Sequence, residues 1–274
     1  MYNQILSWWH SKNIKTSADL AEVLNSNKIS FAYNSSKIEN EEVTYHDTRE
    51  IFENDKVSSY TGKLRTIYEL RNARIAYDYF IDSFQSALPL DEQFLKNLQK
   101  RLTMNTYDSR RWAHGERPGS YKIGDYVTGK DEIGALPEDV HDEINELLEQ
   151  LQEVDNKNAL TAAAYFHVKF ENIHPFADGN GRTGRLAMNY FLVLHDHPPI
   201  TIHEEDRNEY FSALEAWDKA QSLEPMKTFL IAQTEKTWCK QITRLKSHDK
   251  QKKTLKDIIK ASHIKREKDQ GLEL

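Results

Sequence analysis

The chain has 274 residues, which is enough for one large or two small domains with a sizeable core. Hydrophobic residues make up 38% of it and charged residues 29%, a composition typical of soluble globular proteins, and the single cysteine, Cys239, excludes an internal disulfide. The net charge is −6. No apolar run is long enough for a membrane span and the first residues lack the pattern of a secretory signal, so we expect a cytoplasmic protein without a membrane partner.

Apolar residues recur at three- and four-residue spacing along most of the chain, which predicts an all-α fold. Near the N-terminus, Ser35 to Asn40 predicts a short helix whose single carboxylate, Glu39, could pair with an arginine elsewhere. Further along, Leu64 to Phe84 and Asp91 to Leu102 have the pattern of amphipathic helices. We therefore expect these two helices to form part of the core.

The segment from Gly115 to Gly134 differs from the rest because it holds five of the ten glycines. It also contains Tyr121, Ile123, Tyr126 and Val127, and this composition predicts a β-hairpin in an otherwise helical protein. An exposed hairpin edge can bind an extended segment of another protein through main-chain hydrogen bonds. The alternative is an ordinary surface loop.

The most informative stretch runs from His174 to Arg185 and reads His-Pro-Phe-Ala-Asp-Gly-Asn-Gly-Arg-Thr-Gly-Arg. Its glycines open a mostly apolar helix, and a helix N-terminus with free N–H groups binds anions. Arg182 and Arg185 project from one helix face and could reach the outer phosphates of a polyphosphate. Asp178 is the only carboxylate of the stretch and could hold Mg²⁺ together with phosphate oxygens, while His174 is a natural general base.

Other interpretations of this stretch fit less well. Gly179 to Gly184 matches G-x-G-x-x-G, but a dinucleotide site needs a preceding strand, and Ala162 to Phe170 looks helical. An EF-hand loop needs an oxygen ligand where Arg182 stands, and the lysine of a Walker A loop is missing. A simple glycine-rich turn would leave the histidine, the aspartate and the paired arginines unexplained together.

At every specified position the stretch fits H-x-F-x-[D/E]-G-N-G-R-x-x-R, the signature of the Fic (filamentation induced by cAMP) family, which the chain resembles over roughly residues 30 to 235. The resemblance implies a Fic-type helical bundle with a small β-hairpin flap. It also implies transfer of AMP from ATP, with Mg²⁺, to a Ser, Thr or Tyr hydroxyl of a target protein. The kinase-like Doc branch of the family lacks the glycine-arginine pair at this point of the signature. This chain keeps Gly181-Arg182, which favours AMP transfer over phosphorylation.

The resemblance also assigns roles to individual residues. His174 is the base, Asp178 the Mg²⁺ ligand, and the arginines bind the β- and γ-phosphates. The phosphate-cradling loop comprises Gly179, Asn180 and Gly181, followed by Arg182 and Arg185. The flap that holds the target comprises Tyr121, Lys122, Ile123, Tyr126 and Val127. Tyr210 is placed beside the nucleotide base, with core packing as the alternative.

A second family pattern lies towards the N-terminus. Ser35-x-x-x-Glu39-Asn40 matches the inhibitory-helix pattern [S/T]-x-x-x-E-[G/N] in the position found in the second class of Fic proteins. The resemblance implies that Glu39 pairs with Arg185 and blocks the seat of the γ-phosphate, because a carboxylate and a triphosphate repel each other.

We expect three regions: residues 1–60 with an inhibitory helix at about 29–40, a catalytic domain at 61–235, and a basic helical extension at 236–274. The extension holds 12 Lys and Arg against 5 Asp and Glu, but a solvated helix is the favoured interpretation, and a nucleic-acid partner is not expected. Self-modification and a homodimer stay open. Two alternative functions are hydrolytic removal of AMP with Glu39 orienting water, and a nucleotide-sensing module without turnover.

Overall fold

The computed structural model describes residues 1–57, 60–128 and 132–251, and the fold of these residues is a helical bundle. Its helices are α1 (Tyr2–His10), α2 (Ser17–Leu24), α3 (Lys28–Lys37), α4 (Tyr45–Asn54), α5 (Leu64–Gln85), α6 (Glu92–Thr103), α7 (Ser109–Ala113), α8 (Val140–Gln150), α9 (Ala159–Ile173), α10 (Asn180–Leu194), α11 (Arg207–Ala220) and α12 (Glu224–Gln251). None of these helices combines the length and the apolar character of a bilayer span. The predicted all-α class is confirmed.

The centre of the bundle is α10, which packs against α9, α6 and α5. Its residues from Leu186 to Val193 are all buried and, apart from Asn189, mostly apolar, so this part of the helix is enclosed by others. Alanines in α9, such as Ala163 and Ala164, have small side chains and are fully buried, so the two backbones can approach closely. On another side, Tyr190 stacks on Phe94 of α6 with ring centroids 4.2 Å apart.

Helix α3 lies against α5 and α10, which brings the N-terminal region to the start of the central helix. The predicted inhibitory helix at about 29–40 is observed as Lys28–Lys37. Glu39 follows the last helical turn, and its N–H donates to the carbonyl of Ser36 at 3.1 Å. This turn directs the Glu39 side chain towards α10.

The glycine-rich segment before α8 contains far less strand than the sequence indicates. Only β1 (Val127–Thr128) and β2 (Glu132–Ile133) pair, as a two-residue antiparallel ladder in the described residues. Residues 115–126 form turns and irregular chain. The segment is attached to the loop after α9, since Lys122 N–H donates to Pro175 O and Ala135 N–H donates to Ile173 O. These hydrogen bonds to Pro175 and Ile173 take the place of the strand pairing that a longer hairpin would have.

Helix α12 runs without a break through the expected boundary between residues 235 and 236. Trp238, beyond that boundary, is fully buried, donates to Pro199 O at 2.8 Å and packs on Trp9 of α1 with ring centroids 5.8 Å apart. The start of the predicted extension is therefore part of the core, because its apolar face covers α1. Residues 252–274 lie outside the described residues.

We predict that Trp238→Ala lowers the free energy of unfolding by about 3–5 kcal/mol, because it removes a large buried side chain and leaves a cavity. Urea unfolding followed by circular dichroism measures the change. The matched control is Lys240→Ala on the same helix, where the side chain is exposed and the expected change is within about 0.5 kcal/mol. Equal losses in the two variants would contradict this prediction.

Candidate active site

The loop between α9 and α10 holds the signature residues in a fixed conformation. His174 ends α9 in the left-handed region, with φ of 51°, and the following proline prevents the helix from continuing. Gly179 precedes α10 with φ of 81°, a conformation that glycine adopts without strain. The buried Asn180 side chain accepts a hydrogen bond from Phe176 N–H at 2.9 Å and donates to Phe176 O at 2.7 Å. Asn180 therefore fixes the shape of the loop.

The first turn of α10 has the features of an anion site. Its N–H groups have no partner within the helix, and the positive end of the helix dipole lies at the same place. The Glu39 side chain approaches the backbone closely at Gly181, where an added Cβ atom would collide with Glu39 Oε1. The Glu39 carboxylate thus occupies the space directly above the glycine loop.

The Arg185 guanidinium is buried and bonded to the N-terminal region. It donates to Glu39 Oε1 at 2.8 Å, to Ser35 O at 2.8 Å and to Ser35 Oγ at 3.1 Å. A weaker contact of 3.4 Å joins it to the hydroxyl of Tyr210. Burial alone lowers the pKa of Arg185, but the charge of Glu39 raises it above the ordinary value. The residues selected by the two sequence patterns therefore meet at one ion pair.

The second arginine, Arg182, is also buried, but its bonding is incomplete. One terminal nitrogen donates to Asp178 Oδ1 at 3.5 Å and the other lies 3.8 Å from Glu69 Oε1. Its Nε and Nη1 atoms make no hydrogen bond to the protein. A buried guanidinium with unused donors is expensive unless a ligand supplies acceptors, so Arg182 is suited to a phosphate.

Tyr210 lies behind Arg185 and not at an exposed surface. Its ring is 1% exposed and its hydroxyl is 2.8 Å from His167 Nε2. The nucleotide-base position predicted for it requires an accessible ring face, and the structure instead uses Tyr210 to support the guanidinium. The buried location follows from the packing of α11 against α9 and α12.

Two polar residues of this region were missed by sequence reasoning. His167 and Glu171 lie about two turns and about one turn before His174, beside Gly184, where His167 is buried and Glu171 is half-buried. Burial lowers the pKa of His167 to about 3 and raises the pKa of Glu171 to about 8. A signal was present, because His167, Glu171 and His174 recur at the spacing of one helix face.

His174 is half-buried beside the loop, and its ring is neutral at pH 7. Burial, together with the smaller effect of the Lys122 charge, lowers the pKa of His174 to about 4. Lys122 was expected on a target-docking flap, but it is 2% exposed and its Nζ lies 3.5 Å from Ile173 O. The reason is that its backbone is bonded to Pro175, which directs the side chain beneath His174.

The other predicted flap residues have mixed positions. Tyr121 is half-buried and packs on Phe176 with ring centroids 5.4 Å apart, whereas Ile123 is 59% exposed. The buried Glu116 accepts hydrogen bonds from Ile123 N–H at 3.1 Å and from the Tyr126 hydroxyl at 2.6 Å. Val127 opens β1. Glu116 therefore fixes this loop, a role that no local pattern indicated.

This arrangement defines a helical protein with an anion-binding loop at a helix N-terminus and a neutral histidine next to it. Residues 89–192 match the Fic/DOC family model, so this part of the chain is similar to Fic/DOC domains. A relative named protein adenylyltransferase Fic from Nematostella vectensis is 34% identical over 127 residues, which is 46% of this chain and 29% of that protein. One of the same name from Drosophila willistoni is 27% identical over 205 residues, covering 75% of this chain and 40% of that protein.

Solved structures support the fold. A Fic domain containing signaling protein from Bacteroides thetaiotaomicron superposes with a TM-score of 0.72 at 24% identity, covering 86% of this chain and 93% of that one. Fic-1 from C. elegans gives 0.71 at 20% identity, covering 90% and 73%. The chain spans less than half the length of the two curated relatives named above. At these identities the superpositions establish the fold alone.

We predict that Lys122→Met raises the pKa of His174 towards its ordinary value, because a buried positive charge beside the ring is removed. NMR titration of the imidazole between about pH 3 and 8 measures the midpoint in both proteins, and we expect a higher midpoint in the variant because only the burial effect remains. Lys100→Met on α6, an exposed position, is the control. An unchanged titration in Lys122→Met would show that the lysine charge does not reach the ring.

Proposed function

We propose that this chain transfers AMP from ATP to a Ser, Thr or Tyr hydroxyl of a target protein. The observation that carries the proposal is the position of the neutral His174 beside a glycine loop and the start of α10, where two arginines are buried. The match to the Fic/DOC family model and the adenylyltransferase names of the relatives support the same activity.

In the proposed reaction the glycine loop and the arginines hold the triphosphate. His174 takes the proton from the target hydroxyl as its oxygen attacks the α-phosphorus. A bond forms between that oxygen and the α-phosphorus, the bond from the α-phosphorus to the bridging oxygen breaks, and pyrophosphate leaves. Positioning and neutralisation of the phosphate charge supply most of the rate enhancement.

Asp178 is the residue suited to hold Mg²⁺ in this site. It is a loop carboxylate with 15% side-chain exposure, and no group of three or more His, Cys, Asp or Glu side chains suited to a metal occurs in the described part of the chain. This donor set fits Mg²⁺ held by one carboxylate together with phosphate oxygens and water. When bound there, Mg²⁺ supplies positive charge that neutralises the phosphates.

We further propose that Glu39 inhibits the resting enzyme. Its carboxylate bonds Arg185 and stands over Gly181, so a γ-phosphate cannot take the same guanidinium without like-charge repulsion. Ser35 uses two further donors of Arg185 and thereby fixes the inhibited arrangement. We propose in addition that Tyr210 positions Arg185 and that the loop at Ile123 and Tyr126 contacts the target protein.

We predict that His174→Ala abolishes covalent labelling of protein by ATP labelled in its α-phosphate while nucleotide binding persists. General-base catalysis contributes about 10²–10⁴-fold, so the loss is easily measured. Labelled ATP is incubated with the chain and candidate target proteins, and labelled protein is separated by electrophoresis. Tight binding of ATP with no label in either protein would instead support a nucleotide sensor.

We predict that Glu39→Gly raises AMP transfer, including self-modification, by about 10- to 100-fold, the range for loss of a charge-assisted hydrogen bond. The matched control is Glu41→Gly, which removes a carboxylate two residues away whose side chain is 89% exposed. The initial rate of labelling is compared at equal protein concentration. Equal rates in Glu39→Gly and the unmodified chain would rule out inhibition by Glu39.

A further inference from the structure

Asp178 is held by arginines in this structure, at the atoms that a cation would need. Arg65 of α5 donates to Asp178 Oδ2 at 2.6 Å, and Arg182 donates to Oδ1 at 3.5 Å. Arg111 lies farther away, at 3.9 Å from Oδ2. The shortest of these three bonds comes from a residue 113 positions away in the sequence and outside the signature.

Arg65 and Mg²⁺ exclude each other at Asp178. Mg²⁺ binds a carboxylate oxygen at about 2.0–2.1 Å in near-octahedral geometry, which leaves no room for a guanidinium on the same oxygen. The two positive charges would also repel each other strongly at that separation. Entry of the cation thus requires Arg65 to leave Oδ2.

The surroundings of Arg65 allow this movement at low cost. Its side chain is 41% exposed, whereas that of Arg182 is 5% exposed and enclosed. Arg65 Nε also donates to Glu69 Oε1 at 2.9 Å, so the guanidinium keeps a carboxylate partner after it turns away from Asp178. The other oxygen of Glu69 accepts a hydrogen bond from Asn40 at 2.7 Å, which ties this arginine to the segment that carries Glu39.

We propose that Arg65 is a positioning residue that competes with the divalent cation for Asp178 and so sets the cation concentration at which the site fills. The proposal rests on the proposed function, because that function gives Asp178 to the cation. In the resting state the inhibitory segment covers Arg185 while Arg65 covers Asp178. The proposed positions for the γ-phosphate and for the cation are therefore both occupied, by the side chains of Glu39 and Arg65.

The test measures Mn²⁺ binding by electron paramagnetic resonance of the free ion, with the protein in molar excess over ADP so that little unbound ADP chelates Mn²⁺. ADP without protein is the reference. We expect Arg65→Met to bind Mn²⁺ about fivefold to tenfold more tightly, the range for loss of a partly exposed charge-assisted bond. Asp178→Ala should lose this Mn²⁺ binding. Arg65→Gln is a second variant, and circular dichroism checks the fold of each protein.

Two controls separate a direct bond from a general charge effect. Arg111→Met removes an arginine that lies 3.9 Å from Asp178, and it should change the Mn²⁺ affinity by less than about twofold. Arg74→Met removes an arginine of α5 that pairs with Asp55, and it should not change the affinity. Unchanged or weaker Mn²⁺ binding in both Arg65 variants, or equal tightening in Arg111→Met, would overturn the proposal. ADP donates no AMP in this assay, so the result is independent of whether AMP transfer itself is observed.

Discussion

The buried guanidinium of Arg185 is the constraint on which the rest of the site depends. A charged group is costly to bury unless its donors are satisfied, and the donors of Arg185 are satisfied by α3 and the turn after it. Residues 150 positions apart are thereby brought together. The packing of α3 on α5 and α10 and the electrostatics of the loop are two consequences of this single requirement.

The resting site is close to charge balance, although every part of it is suited to an anion. Three arginines face three carboxylates at 3.8 Å or less around the start of α10, and Arg111 lies slightly farther away, at 3.9 Å from Asp178. The arginines are Arg65, Arg182 and Arg185, and the carboxylates are Glu39, Glu69 and Asp178. Several uncompensated positive charges would destabilise the site by their mutual repulsion, so the internal carboxylates stabilise this arrangement. A nucleotide with its cation would provide both signs of charge at once and could replace two of these internal pairs.

Local patterns predicted the parts of the site that are contiguous in sequence. His174 to Arg185 form one loop and one helical turn, so residue spacing alone fixes their relative positions, and the helical periodicity of the surrounding segments indicated the fold class. The contact between Glu39 and Arg185 was predicted from the family pattern, because residue spacing alone cannot indicate which arginine a distant carboxylate contacts. Arg65 and Glu116 carried no local signal. The positions of residues in the glycine-rich segment before α8 were also not predictable, since the burial of Lys122 follows from a hydrogen bond between its backbone and Pro175.

Two polar residues of α9, His167 and Glu171, decide which charges act on Arg185. Burial lowers the pKa of His167 to about 3 and raises the pKa of Glu171 to about 8, so both side chains are mainly uncharged at pH 7. In the described part of the chain, Glu39 is then the one charged carboxylate within ion-pair distance of the guanidinium. The Arg185 side chain is 2% exposed and that of Glu39 is 39% exposed, so water screens part of this 2.8 Å interaction. Removal of Glu39 would leave the buried guanidinium with neutral partners and donors for an incoming phosphate. Because His167 and Glu171 are mainly uncharged, the net charge around Arg185 depends on the position of the Glu39 side chain.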